Sequence, residues 1–197
     1  MKVMEPEQMA SRFAGVTNSE GVLQELAALG VSGPVREREA AVEGIDPVPG
    51  RGIIPRRQIS APEILNEAYD YGSAFSRGLR VELPGATMLL LSGTASIDEE
   101  GRTVYEGDLE AQCMRTFRNL TRLLVAEGAS WHDVVRTTCY LRDIERDYDA
   151  FNAIRNFFMN EIVGLDPVPA STGIQVRLCR SDLLVEIELM AIVPNPE

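Results

Sequence analysis

One histidine, one tryptophan and three cysteines in 197 residues remove several chemistries at once. The cysteines, Cys113, Cys139 and Cys179, are scattered and form no Cys-x-x-Cys pair. They make neither a zinc-ligand set nor a disulfide framework; they fit a reducing compartment, where each is expected as a small buried hydrophobe. The lone histidine, His132, and dispersed carboxylates leave no metal site to expect. A Ser-His-Asp triad would have to use His132, which follows Trp131 in what reads as a helix-to-strand loop, so its expected role is that of a loop or cap neighbour. No apolar run approaches the ~18 residues of a membrane span. The opening MKVMEPEQMASRFAG has neither the apolar core of a signal peptide nor an Arg-rich amphipathic pattern, and a cytoplasmic protein is expected. Basic charge is short as well, with 19 Lys and Arg against 30 Asp and Glu and a net charge of −11. That balance argues against nucleic acid and anionic membrane as partners. SGTAS at Ser92–Ser96 lacks the glycine pattern and lysine of a phosphate loop, so no nucleotide or other cofactor is expected.

What is present is enough apolar material for one ordinary core, 45% of the chain. The first 72 residues read as an extension. TNSEGVLQELAALG, Thr17 to Gly30, is a short helix with Thr17 and Glu20 at capping-box spacing and Gly30 as its exit. Ser32 to Gln58 breaks repeatedly at Gly and Pro and reads as an arm. A turn of helix is expected after Ser60, with Pro62 in its first turn. Residues 73–197 are expected to form the folded domain.

In that domain FSRGLRVEL and ATMLLLSGTASI read as strands joined by Pro84-Gly85. DLEAQCMRTFRNLTRLLVAEG carries Leu109, Cys113, Phe117, Leu120 and Leu124 on one helical stripe, with Asp108 as N-cap and Gly128 as stop. DVVRTTCYL is a strand rich in β-branched residues. DYDAFNAIRNFFMNEIV is a second amphipathic helix, capped by Asp147. PASTGIQVRL and DLLVEIELMAIV close as strands. The order β-β-α-β-α-β-β predicts an α+β fold, one sheet with two helices on one face.

The last strand is unusual on its second face. Leu183, Val185, Ile187, Leu189, Ala191 and Val193 form an apolar face for the helices. The other face carries Leu184, Glu186, Glu188, Met190 and Ile192, which suits neither water nor a core. The economical cover for it is a second copy of the chain, leaving the carboxylates near a subunit boundary. There a desolvated carboxylate becomes a candidate acid or base. The alternative is a structural ion pair with Arg177 or Arg180. Tyr140 is expected on the face opposite Cys139 and Leu141, with a hydroxyl available to a pocket.

From Phe75 to Val193 these pieces, in this order, resemble the RidA/YjgF family. The carriers are LLLSGTASID, the AQ…TFRNLTRLL helix, WHDVVRTTCYLRDI, DYDAFNAIRNFF, PAST and DLLVEIELMAI. The resemblance implies a chorismate-mutase-like fold and a homotrimer with small-molecule sites between subunits. It also implies a water-positioning glutamate at Glu186, with Ser92, Gly93 and Asn152 in the pocket. Three pocket positions depart from the family's imine deaminases. Ser171 stands where they carry a carboxylate-clamping arginine, Phe75 replaces a tyrosine, and Gly173 replaces a cysteine. A hydroxyl donates one hydrogen bond where a guanidinium neutralises a planar anion. The expected function is therefore a hydrolase or lyase on a small imine, carbonyl or enol-ether metabolite, different from 2-imino acid deamination. Arg77, Arg142 and Arg177 are the candidate replacements for the clamp. AFSRGL, SGTAS and CYLRD also resemble chorismatases, which are much longer. A non-catalytic trimer that binds a metabolite or a partner is the alternative of a different class, and the family's endoribonuclease label is a further one.

Overall fold

The computed structural model describes residues 54–62, 65 and 75–195, all within one unit, Ile54–Glu197. The helix expected over Thr17–Gly30, most of the Pro/Gly-rich arm and most of the turn after Ser60 lie outside the described residues. In chain order the elements are β1 (Arg56–Gln58), β2 (Gly78–Leu83), β3 (Ala86–Ala95), α1 (Leu109–Ala126), β4 (Val134–Leu141), α2 (Ile144–Asn156), β5 (Ala170–Gln175) and β6 (Val185–Pro194). One sheet orders them β1-β2-β3-β6-β4-β5. Only β4 and β5 run parallel; the other neighbours are antiparallel.

The expected β-β-α-β-α-β-β series is present, preceded by one further edge strand. β1 is Arg-Arg-Gln with every side chain exposed, so no apolar alternation betrays it, and Arg56–Gln58 reads as arm in the sequence. Backbone pairing of Arg56 with Val81 and of Gln58 with Leu79 places it on β2. Arg57 then forks onto Glu127 at the end of α1, at 3.1 and 2.6 Å. Ile59 and Leu65, just beyond, are fully buried in the main core.

β2 and β3 turn at Pro84-Gly85, where Gly85 takes φ +78°, the left-handed conformation that the turn requires. α1 starts as expected, with the Asp108 carboxylate accepting the Ala111 N–H at 3.0 Å. It ends at Glu127, followed by Gly128 at φ +71°. α1 packs against β3 and β6, while α2 packs against β4 and α1. On β6 the predicted inner face is realised: Val185, Ile187, Leu189 and Ala191 join Phe117, Leu120 and Leu124 in the core. Each large side chain buried this way stabilises the fold by about 1.5–3 kcal/mol. Leu183 lies instead in a small satellite cluster with Ala95 and Leu178.

The start of α2 corrects one reading. Its N-cap is Asp143, whose carboxylate accepts the Arg146 N–H at 3.1 Å. Asp147 lies inside the helix, 5% exposed, held by both arms of Arg146 at 2.7 Å. Both aspartates suit a first turn, and an Asp143 cap brings Ile144 and the buried Phe151 onto the core. Beyond Asn156 the helix widens into π-type turns, Phe157–Val163, and stops at Gly164 with φ +74°.

Candidate functional site

β3 does not pair evenly with β6. Leu91 faces Leu189 and Thr94 faces Ile187, so Ser92 and Gly93 together oppose Glu188 alone, a β-bulge. The extra residue keeps Leu91 and Thr94 both buried and turns Ser92-Gly93 toward the outer face of the sheet. Ser92 is fastened there by its N–H to Arg77 O at 3.0 Å and by its hydroxyl to Ser76 O at 2.6 Å. A β-carbon built on Gly93 would stand 1.9 Å from Oε1 of Glu186. Only glycine leaves room for that carboxylate.

Glu186 is half-buried on β6, between Ala95 of β3 and Tyr140 of β4. Burial holds its carboxyl above the usual range, and the charge of Glu188 adds to the effect; Arg77 pulls the other way. Arg77 is 4% exposed and lies over the Phe75 ring, 5.4 Å from its centroid. The Tyr140 hydroxyl is raised by desolvation and by its hydrogen bond to Glu188. Two open cavities share Gly93, Cys179 and Glu186. One, of about 200 Å³, is lined by Phe75, Arg77 and Arg180; the other, of about 230 Å³, by Tyr140, Arg177 and Glu188. Glu188 also borders a third, of about 380 Å³, with Ser76, Ser92 and Arg136.

Two buried amides on α1 fix the backbone around this carboxylate. Asn119 donates to Ala95 O and Ile97 O, both at 3.0 Å. Gln112 accepts the Leu184 N–H at 2.8 Å and donates to Asp182 O at 2.9 Å. The end of β3 beside Glu186 and the segment leading into β6 are thus held from behind.

The remaining predicted residues lie elsewhere. β5 pairs Ser171 with Thr137 and Gly173 with Cys139, which sets all four on the helix-facing side, opposite Glu186. Ser171 Oγ accepts from Thr137 Oγ1 at 3.0 Å and from Arg155 at 3.2 Å. Asn152 Oδ1 accepts from the other arm of Arg155 at 2.8 Å. Tyr148 approaches to 3.8 Å from where a β-carbon on Gly173 would stand. Phe75, Arg77, Ser92, Gly93, Tyr140 and Glu186 therefore form one group, and Asn152, Ser171 and Gly173 a second on the other side of the sheet.

Of the arginines considered for anion binding, Arg142 is spent on structure. It donates through its side chain to Leu183 O and Arg180 O. Arg77 and Arg177 border the cavities at Glu186. Sequence reasoning missed Arg155, Cys179, Gln112 and Asn119. The available signal for the last two was a pair of amides, seven residues apart, interrupting an otherwise apolar helical stripe. Cys113 and Cys139 are buried as expected, and burial pushes the Cys113 thiol up to about 12. Cys179 departs from that reading by being exposed. Among the described residues no group of histidine, cysteine and acidic side chains is placed to hold a metal, and no helix is long and apolar enough to cross a membrane.

A mixed sheet backed by two helices, with a carboxylate seated on a Ser-Gly bulge, defines a small α+β protein with a largely apolar, carboxylate-bearing pocket on its open sheet face. The chain belongs to the endoribonuclease L-PSP family, matched over residues 72–193, which is the RidA/YjgF family its motifs resemble. A RutC family protein of Synechocystis is 33% identical over 108 residues, covering 54% of this chain and 79% of that protein. A Salmonella typhimurium protein named 2-iminobutanoate/2-iminopropanoate deaminase is 28% identical over 106 residues, 54% of this chain and 80% of its own. Among solved structures, the YjgF gene product of E. coli superposes with a TM-score of 0.56 at 23% identity, covering 69% of this chain and 98% of that one, a likeness of fold. A putative endoribonuclease of Thermotoga maritima has a TM-score of 0.56 at 25% identity, over 71% and 98% of the two chains.

Proposed function

We propose that this protein is a hydrolase or lyase for a small imine, carbonyl or enol-ether metabolite, with Glu186 as its acid–base residue in a site completed by a second copy of the chain. The observation that carries the reading is the seat of Glu186. It is half-buried against Gly93, with its carboxyl raised by desolvation and by Glu188. A carboxylate moved toward neutral pH both accepts a proton from an attacking water and returns it to a leaving atom. Ser92 and Arg77 shape the pocket on one side, and backbone N–H groups near Gly93 and Gly173 receive a developing oxyanion.

The division of the predicted residues supports the second copy. Asn152, Ser171 and Gly173 sit on the opposite side of the sheet from Glu186, so one chain cannot bring the groups together. A face with half-buried Glu186, Glu188 and Met190 beside exposed Ile192 is suited to cover by an identical chain, and a homotrimer is the form proposed. Phe75 and Gly173, which stand where the resemblance implies a tyrosine and a cysteine in the deaminases, support a reaction different from that named for the Salmonella relative. The test is turnover of a panel of imines, 2-oxo compounds and enol ethers by the wild type and Glu186→Ala, with light scattering to check the assembly. Loss of turnover in an intact oligomer is expected. Normal turnover by the alanine variant overturns the assignment.

A further inference from the structure

We infer that Arg155 is the anion-binding residue of this protein, so that its ligand is a small carboxylate or a similar planar anion. The inference rests on the reading above for its place in a shared pocket, although the anion contact itself lies within one chain. Arg155 is half-buried near the end of α2. Its guanidinium is located by two neutral acceptors, Ser171 Oγ at 3.2 Å and Asn152 Oδ1 at 2.8 Å. It also lies over the Phe151 ring, 5.5 Å from the centroid. Among the described residues no carboxylate pairs with it, a state it shares with Arg136 and Arg142; it differs from them in touching Ser171.

A partly desolvated guanidinium without a counter-ion is costly in a folded chain. Here it is held in place by neutral groups, the arrangement that leaves its charge for a ligand. An arginine has five N–H donors and no acceptor. Two hydrogen bonds to Asn152 and Ser171 leave donors enough for a forked contact to a planar anion. Ser171 cooperates. Its oxygen already accepts from Thr137 and Arg155, so its own proton is directed to the Cys139 sulfur at 3.8 Å or to a bound anion. The positive charge that a serine on β5 cannot supply is delivered to the same place from the helix. The three arginines suggested by the sequence all lie apart from Ser171; Arg155 touches it.

The test compares binding of pyruvate and its neutral amide, pyruvamide, by calorimetry in the full-length wild type, Arg155→Met, Arg155→Lys and Glu186→Gln. The wild type should prefer pyruvate. Arg155→Met should lose about tenfold or more of its pyruvate affinity, the size expected for a charge-assisted fork, and bind pyruvamide as before. Arg155→Lys, which keeps the charge without the fork, should fall between, and it guards against a folding defect in the methionine variant. Equal pyruvate affinity in Arg155→Met and wild type, or no preference for pyruvate in the wild type, overturns the inference. If Arg155→Met loses pyruvate while Glu186→Ala still turns over the substrate, Arg155 stands and the catalytic reading of Glu186 falls.

Discussion

Oε1 of Glu186 occupies the space that a side chain at residue 93 would need, 1.9 Å from the position of a β-carbon there. The obstacle is the free end of a flexible side chain, so Gly93→Ala can fold by swinging the carboxylate aside. Stability should then change by less than about 1 kcal/mol, while turnover should fall as far as it does in Glu186→Gln. Denaturant unfolding and steady-state rates on one preparation check both halves. A folded Gly93→Ala with full activity shows that the position of the carboxylate does not matter.

Glu186 also predicts a pH signature in stability. A carboxyl whose folded value is raised favours folding while protonated; that contribution is complete below the ordinary glutamate range and is lost as pH rises through the folded value. Glu186→Gln cannot ionise. It should therefore be more stable than wild type at neutral and higher pH, with the gap closing as pH falls. In Glu188→Gln one repelling charge is gone, so the acid limb of the activity profile should move to lower pH. Thermal unfolding across pH 4 to 8, an interval spanning roughly the ordinary and raised carboxylate ranges, reads the first. A gap of constant size at every pH contradicts it.

Arg142 closes the loop before β6 by donating to Leu183 O and Arg180 O. Arg142→Met removes both donors and should cost about 1–3 kcal/mol for carbonyls left short of partners. Faster hydrogen exchange should appear in residues 178–184. An effect on ligand affinity with unchanged stability would instead make Arg142 a ligand contact.

Thiol chemistry should separate the cysteines sharply. Cys113 and Cys139 are buried, with both thiols pushed up by desolvation, whereas Cys179 is exposed beside Glu186. A neutral disulfide reagent should label Cys179 alone in the native protein and reach the others only on unfolding. Bound ligand should slow that labelling. Rapid labelling of all three thiols in the native state contradicts the burial assigned to Cys113 and Cys139.

The elements legible in the sequence were those whose burial repeats at a fixed period. The alternation of β6 and the stripe of α1 both reappear in the core. β1 was not legible, because a three-residue edge strand with exposed side chains is fixed by backbone pairing and by Arg57 on Glu127, which leave no pattern. The cap of α2 was misplaced because Asp143 and Asp147 offer the same side chain one turn apart. In the candidate site, family motifs supplied Ser92, Gly93 and Glu186. They did not supply Arg155, whose proximity to Ser171 arises only when α2 is laid against β5.

The central claim is that residues on opposite sides of one chain's sheet belong to a single pocket between copies. It is tested most directly by titrating the isotopically labelled protein with pyruvate and following the amide signals of Gly93 and Gly173. The account predicts that both move together, with one affinity, and that both stop moving in Arg155→Met. Movement of Gly173 alone, or of the two with separate affinities, contradicts it.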